Sequence, residues 1–184
     1  RVPYPPLTLF LMGNFELLSN EKKFAVAGSR TVSESGTKFA YESAKKLADK
    51  QYVIVSGGAI GIDTAAHKGA VDSSFGKTIA IMGSGFFRPY PEENIPLFNK
   101  IREKNGLLIS EHLPNFAGSR FSYLQRNRII SGISKALLLC ASDKINGGSA
   151  TQAKIAHSQG IPIFCPSLDL NILPNEGIKD AIKK

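Results

Sequence analysis

Short apolar runs alternate with longer amphipathic stretches along most of this chain. The runs are almost continuously apolar, which is typical of strands covered on both faces. They lie at 24–27, 53–56, 78–82, 107–110, 136–140 and 162–165. Stretches with helical spacing separate them, at about 34–50, 62–72, 93–104, 122–133 and 149–159. This alternation predicts an α/β fold class: a doubly wound, mainly parallel sheet with right-handed crossovers and helices on both faces.

The two ends of the chain depart from this pattern. Residues 1–6 are rich in proline, and we interpret them as the end of a linker. Residues 7–12 are apolar and end at a Gly-Asn pair, which predicts an edge strand. We therefore divide the chain into an N-terminal extension, residues 1–22, and a domain, residues 23–184. The irregular tail, 168–184, has spaced isoleucines and a leucine that suit docking on the core or a partner.

Glycine-rich or basic turns directly follow the predicted strands. Gly28-Ser29-Arg30 follows the first strand, and the segment 56–63, Ser56-Gly57-Gly58-Ala59-Ile60-Gly61-Ile62-Asp63, follows the second. The carboxyl ends of parallel strands face one edge of a sheet, so these turns are predicted to converge on one crevice. Helix N-termini and backbone N–H groups in such a crevice favour phosphate.

The stretch 120–132 is the most distinctive part of the sequence. It combines three arginines with two aromatic residues near the start of a predicted helix. Cations for phosphates and flat rings for bases are what single-stranded nucleic acid requires. A structural interpretation competes, with the rings in the core and Arg126 and Arg128 in salt bridges to Glu111 or Asp63. We expect each interpretation to hold in part, because successive helical residues point in different directions.

The charge balance of the chain favours an anionic partner. The 184 residues have a formal net charge of +8 and a pI of about 9.5. This charge favours nucleic acid over a surface that only provides solubility. No apolar run is long enough to cross a bilayer, and no signal-peptide pattern is visible. We therefore expect a cytoplasmic protein with no membrane partner.

The sequence argues against cofactor, metal and covalent chemistry. Gly83-Ser84-Gly85 begins like a dinucleotide fingerprint but lacks its third glycine and its acidic residue. The three histidines and two cysteines show no metal-ligand spacing. Asp63 and His67 lie one helical turn apart, and we interpret them as a structural hydrogen bond that holds the loop, because no nucleophile signature accompanies them. We predict no cofactor, no metal and no catalytic residue.

Taken together and in this order, these segments resemble the DNA-processing protein A family, also called Smf. The similarity covers nearly the whole chain. It rests on Gly28-Ser29-Arg30, the segment 56–63, Ala66-His67-Lys68-Gly69-Ala70, Tyr90-Pro91-Glu92-Glu93-Asn94, Leu108-Ile109-Ser110-Glu111 and Arg126-Asn127-Arg128-Ile129-Ile130-Ser131-Gly132.

The resemblance implies an extended Rossmann-like domain that binds single-stranded DNA. It also implies help in loading the RecA recombinase during natural transformation, and a homodimer formed partly through the C-terminal portion. Carried onto this sequence, Arg30 and Arg120 would hold phosphates and Tyr123 would stack on a base. The rest of the expected DNA-binding set is Gly28, Ser29, Ser56, Gly57, Gly58, Gly61, Arg126 and Asn127. We assign Asp63, His67 and Glu111 to structural support of the pocket.

An enzymatic alternative comes from a second resemblance. Nucleoside-monophosphate phosphoribohydrolases on this type of fold have a Pro-Gly-Gly-x-Gly-Thr-x-x-Glu signature, and residues 146–154 are similar. Lys154 stands where those enzymes have their catalytic Glu, which inverts the charge offered to a developing oxocarbenium ion. We therefore predict a protein that is not an enzyme. A nucleotide-binding or nucleotide-hydrolysing protein remains the alternative, and an adaptor with a vestigial pocket is a third hypothesis.

Overall fold

Every apolar run predicted to be a strand forms one. The structure, a computed structural model, describes residues 2–142 and 147–166. The strands are β1 (Phe10–Gly13), β2 (Lys23–Gly28), β3 (Val53–Ser56), β4 (Thr78–Met82), β5 (Leu107–Ser110), β6 (Ala136–Ala141) and β7 (Ile163–Phe164). The helices are α1 (Glu34–Asp49), α2 (Ile62–Val71), α3 (Ile95–Glu103), α4 (Arg120–Gln125), α5 (Asn127–Gly132) and α6 (Gly148–Ser158). The predicted docking tail, 168–184, lies outside the described residues.

The strands form one doubly wound sheet. Their order is β1-β5-β4-β3-β2-β6-β7. The strands from β5 to β7 in this order pair in parallel, and β1 pairs antiparallel with β5 at the edge, with Phe10 opposite Ser110. The fold class is thereby confirmed, and the predicted edge strand is present over 10–13 rather than 7–12. The strand order reverses between β2 and β6, which is where such sheets open a crevice beyond their carboxyl ends.

The central strands are covered on both faces. Every residue of β3, β4 and β5 is buried, as the continuous apolar runs predict. On one face the cover is built from small side chains. Ala40, Ala44 and Ala48 repeat every fourth residue along α1 and are fully buried beside α2. A Cβ added at Gly69 of α2 would lie 2.1 Å from the Tyr41 carbonyl oxygen, so the two helix backbones are in close contact there.

This close approach predicts that Gly69→Ala destabilises the domain. The added methyl group has to push α1 away, which we expect to cost about 1–3 kcal/mol of unfolding free energy. Gly148→Ala is the matched control, because an added Cβ there meets no described residue within 4 Å. We expect Gly148→Ala to be neutral or to stabilise by up to about 1 kcal/mol. Urea denaturation checks both variants, and equal losses would contradict the packing described here.

Candidate functional site

A cleft of about 800 Å³ opens at the carboxyl ends of the central strands. It lies where the sequence predicts that the turns converge. The turn after β2, the start of α4 and the start of α6 contribute residues to one lining. That lining includes Gly28, Ser29, Arg30, Ala59, Asp63, Tyr90, Gly118, Arg120, Tyr123, Arg126, Asn127, Gly148, Ser149, Thr151 and Gln152. The predicted meeting of the Gly-Ser-Arg turn with the arginine-rich stretch is therefore present in the structure.

Exposed cations and aromatic rings lie together on this lining. Arg30 and Arg120 are both exposed, and both line the cleft. Tyr123 is half-buried, and its ring centroid lies 5.4 Å from that of Tyr90 at an interplanar angle of 41°. Tyr90 is 49% exposed, so one face of this ring pair remains accessible. Guanidinium groups bind phosphate and rings stack on bases, so the lining has both elements of a single-strand site.

The start of α4 is fixed by serine hydroxyls. The Ser119 hydroxyl accepts a hydrogen bond from the Ser122 backbone N–H (3.1 Å), and the Ser122 hydroxyl accepts one from the Ser119 N–H (2.8 Å). This reciprocal cap stabilises the helix N-terminus. The Ser122 hydroxyl also lies 2.6 Å from the Gly83 carbonyl at the end of β4, to which it donates. Arg120, the first residue of α4, is thereby held at the edge of the sheet.

The predicted single helix over 122–133 is wrong. Two short helices, α4 and α5, meet at Arg126. At this junction the Ile129 N–H bonds to the Arg126 carbonyl, three residues back, so the regular helical pattern tightens. The junction turns the Arg126 side chain inward, and only 6% of Arg126 is exposed.

Arg126 forms a buried ion pair beneath the cleft. Its Nη2 lies 3.6 Å from Oδ2 of Asp63, and both side chains are more than nine-tenths buried. A Cβ at Gly57 would lie 1.4 Å from Nη1 of Arg126, so a glycine is needed to admit the guanidinium. Burial raises the pKa of Asp63, and the Arg126 charge and the Ala59 N–H, 3.3 Å from Oδ2, oppose that rise. The competing structural interpretation is therefore confirmed for this arginine.

The glycines of segment 56–63 pack inside the protein. Gly58 faces the Phe98 ring, and an added Cβ would lie 2.7 Å from it. Gly61, with φ of +81°, lies against the carbonyl oxygens of Ser29 and Arg30, and a Cβ added to it would lie 2.5 Å from each. Ser56 is fully buried and donates to the Val26 carbonyl at 2.7 Å. None of these three residues, nor Gly57, belongs to the cleft lining formed by the described residues.

The expected hydrogen bond between Asp63 and His67 is wrong. Nδ1 of His67 lies 2.8 Å from the Thr78 hydroxyl, on β4, and Asp63 is occupied by Arg126 and the Ala59 N–H. The one-turn spacing permits a contact, but the packing of α2 on the sheet turns the imidazole toward the strand. Burial, followed by the charge of Arg126, lowers the pKa of His67 to about 3, so this imidazole is neutral.

A second ion pair connects α5 to the end of β5. Arg128 Nη1 lies 2.8 Å from Glu111 Oε2 and Nη2 lies 2.5 Å from Oε1, which is a bidentate pair. The Arg128 Nε also donates to the Tyr4 carbonyl at 3.1 Å. Arg128 therefore joins α5 to the end of β5 and to the N-terminal segment. The predicted salt bridge of Arg128 with Glu111 is confirmed.

Several residues of the lining are not predicted from the sequence. In the sequence analysis Tyr90 appears only among the segments that carry the family resemblance. An aromatic residue beside prolines is nevertheless a pattern that indicates a surface position. Ser149, Thr151 and Gln152 lie on the first turns of α6 and also face the cleft. Nothing in the sequence around Gln152 indicates that this glutamine is buried or that it faces the cleft. Asn127, which the sequence does predict, is 6% exposed and lines the cleft.

Neither a metal cluster nor a membrane span is found in the described part of the chain. Within residues 2–142 and 147–166, no three His, Cys, Asp or Glu side chains gather in a way that would hold a metal ion. No helix in those same ranges has the length and apolar character needed to cross a membrane.

Comparison with known sequences gives a consistent family. The model of the family described as DNA recombination-mediator protein A matches residues 1–184. The DNA processing protein DprA of Bacillus subtilis is 35% identical over 160 residues, which is 87% of this chain and 53% of that protein. The Streptococcus pneumoniae DprA is 38% identical over 159 residues, 86% of this chain and 55% of that protein. The chain thus spans about half the length of these curated relatives.

Comparison with solved structures agrees. DNA processing protein A from Helicobacter pylori, described for its single-stranded DNA binding mode, superposes with a TM-score of 0.88 at 29% identity, covering 97% of this chain and 80% of that one. The S. pneumoniae DprA gives a TM-score of 0.86 at 35% identity, covering 97% and 61%. A molybdenum cofactor binding protein from Rippkaea orientalis, at 19% identity and a TM-score of 0.59 over 79% and 76%, shares the fold alone.

The buried pair predicts that Asp63→Asn destabilises the domain. The change leaves the Arg126 charge buried without its partner, which costs about 3–5 kcal/mol of unfolding free energy. Asp72→Asn is the matched control, because the Asp72 carboxylate pairs with Lys100 at 3.0 Å and both side chains are more than one-third exposed. We expect that control to lose under about 1 kcal/mol. Chemical denaturation measures both, and similar losses would contradict a structural role for the buried pair.

The neutral His67 predicts a loss of stability in acid. The unfolded chain takes up a proton at this residue near pH 6.5, whereas folded His67 stays neutral down to about pH 3. This difference leaves the unfolding free energy unaffected above about pH 6.5. As the pH decreases below that value the unfolding free energy falls, by about 2 kcal/mol at pH 5. We expect His67→Gln to lose less stability between about pH 7.5 and pH 5 than the unchanged protein. Denaturation at both pH values checks this, with exposed His157→Gln as control; an unchanged pH dependence in His67→Gln would refute it.

Proposed function

The chain belongs to the DNA recombination-mediator protein A family, and from that premise we propose that its cleft binds single-stranded DNA. The observation that supports this best is the common lining shared by Arg30, Arg120 and Tyr123, which come from two separate parts of the chain. The relative from H. pylori, which aligns with 97% of this chain, is described as binding single-stranded DNA. The formal net charge of +8 adds a general attraction for a polyanion.

The exposed arginines would hold the phosphates. Arg30 and Arg120 reach the cleft lining from two different segments, one after β2 and one at the start of α4, so a strand in the cleft would meet two cations. Both side chains are exposed, so their donors are accessible to a ligand. Affinity that arises from such contacts falls steeply with salt, because each phosphate contact releases counterions.

The tyrosine pair would receive a base. Tyr123 and Tyr90 are already in ring contact, so the surface for stacking is organised before a ligand arrives. Stacking accepts any base because every base has a π-face, so sequence preference is expected to be slight. Gly28, Ser29 and Asn127, which share the lining, complete the proposed contact set. Five further residues support this contact set from below by fixing segment 56–63 and the α4–α5 junction. They are Ser56, Gly57, Gly58, Gly61 and Arg126.

We further propose that the whole protein, in the cytoplasm, assists a RecA-type recombinase on the strand it binds and acts as a homodimer. Both statements rest on the family membership. A binder that passes its strand to another protein needs contacts that are readily released, and phosphate contacts at exposed arginines have that property. The relatives favour DNA processing over the nucleotide-hydrolysing alternative.

The cleft assignment predicts that Arg30→Ala and Arg120→Ala each weaken binding of an oligothymidylate about tenfold or more at low salt. Each change removes about one phosphate contact, so the slope of log affinity against log salt should fall by roughly one. Tyr123→Ala should weaken binding by about 1–3 kcal/mol with the salt slope unchanged. Fluorescence anisotropy over a salt series measures all three.

Arg102→Ala is the matched control for charge. Arg102 is exposed on α3 and lies outside the described lining, so its loss lowers the net charge equally without touching the cleft. We expect this control to keep nearly full affinity. If Arg102→Ala weakens binding as much as Arg30→Ala and Arg120→Ala do, the attraction is general and the cleft assignment is wrong.

A further inference from the structure

The cleft continues past the exposed arginines to the start of α6. Gly148, Ser149 and Thr151 line this inner end. The α6 helix has 11 residues, its N-cap is Gly147, and no side chain of the described residues caps it. The N–H groups of a first helical turn have no partners within the helix, and the helix dipole is positive there. The inner end therefore favours an anion.

Two deeply buried side chains of the cleft lining have polar atoms without a hydrogen-bond partner among the described residues. Arg126 is 6% exposed and Gln152 is 2% exposed, and both line the cleft. The atoms are Nε of Arg126, beside Asp63, and Oε1 of Gln152, the fifth residue of α6. The Gln152 amide is held in place, because its Nε2 donates to the Asn127 carbonyl (3.1 Å) and to the Ser131 hydroxyl (3.2 Å). Buried acceptors are normally satisfied, so Oε1 of Gln152, about one helical turn from the α6 N-terminus, suits a ligand.

The donors and acceptors at the inner end suit a nucleotide better than a simple anion. The α6 N–H groups donate, as phosphate oxygens require. Oε1 of Gln152 only accepts, so it suits a sugar hydroxyl or a base N–H next to that phosphate. The Asp63 carboxylate also lines the cleft, and Arg126, 3.6 Å away, balances its charge.

We propose that this inner end binds a nucleotide phosphomonoester: the terminal phosphate of a DNA strand or a free nucleoside monophosphate. The strand-end case rests on the proposed function. A phosphomonoester has a charge of about −1.5 to −2 near neutral pH, more than the single charge of an internal phosphodiester, so the helix N-terminus favours it. Ser149 and Gln152 are buried whereas Arg30 and Arg120 are exposed, so the inner end suits a terminus and the outer part suits a continuing strand.

Gly148 offers a variant that separates binding from folding. It is the first residue of α6, and within the described part of the chain an added Cβ there has no neighbour within 4 Å. A carboxylate at a helix N-terminus stabilises the helix, so Gly148→Asp should keep or raise the melting temperature. The same carboxylate repels a phosphate from the inner end. Gly148→Asn has the same shape without the charge and is the matched control.

The test compares hexathymidylate with a 5′-phosphate, with a 3′-phosphate and with neither, by competition against a fluorescent oligothymidylate. Calorimetry compares dTMP with thymidine. We expect a terminal phosphate at one end to raise affinity about tenfold in the unchanged protein and in Gly148→Asn, and to give no gain in Gly148→Asp. Binding of dTMP, lost in Gly148→Asp, with no gain from a terminal phosphate would support the site and identify the free nucleotide as its ligand.

Equal affinity for all three strands together with no binding of dTMP would overturn the proposed site. A phosphate gain that persists in Gly148→Asp would overturn it too, because the charge at the α6 N-terminus would then be irrelevant. Failure of the proposed function gives a different result, since the unphosphorylated oligothymidylate would then bind none of the proteins, whatever dTMP does.

Discussion

The buried pair of Arg126 and Asp63 is the interaction on which the cleft depends. Two charges removed from water are tolerated only when they are paired, so neither residue can leave without cost to the other. The pair joins the first turn of α2 to the α4–α5 junction. That connection helps to fix α4, whose exposed Arg120 lines the cleft together with Arg30. Gly57 is part of the same constraint, because any side chain there would displace the guanidinium.

The buried arginines and the exposed arginines have different roles. Arg126 and Arg128 are held by carboxylates and connect the α4–α5 region to α2 and to the end of β5. Arg30 and Arg120 are exposed on its lining, so their charge is available to a ligand. An arginine-rich stretch of sequence therefore contains both the framework of the site and its proposed binding groups. In the proposed function the exposed groups bind and release a strand while the buried pair keeps the cleft in shape.

The sequence predicts the fold well and the site only in part. The central apolar runs are strands because burial on both faces of β3, β4 and β5 requires continuous apolar residues, and this requirement is local. The role of a glycine is not local. Gly57 makes room for the side chain of Arg126, which is distant in sequence, and the glycines alone do not show whether that room holds a side chain or a ligand. Likewise, the spacing of Asp63 and His67 permits contact, but the His67 imidazole forms a hydrogen bond with the Thr78 hydroxyl on β4 instead.

The central claim is that single-stranded DNA lies in this one cleft, and photo-crosslinking tests it most directly. Iodouracil placed in an oligonucleotide reacts with an aromatic ring that stacks on it, and mass spectrometry identifies the residue. The account predicts crosslinks at Tyr123 or Tyr90, which line the cleft. Crosslinks found only at rings away from that lining, such as Phe39 on α1 or Phe164 on β7, would contradict it.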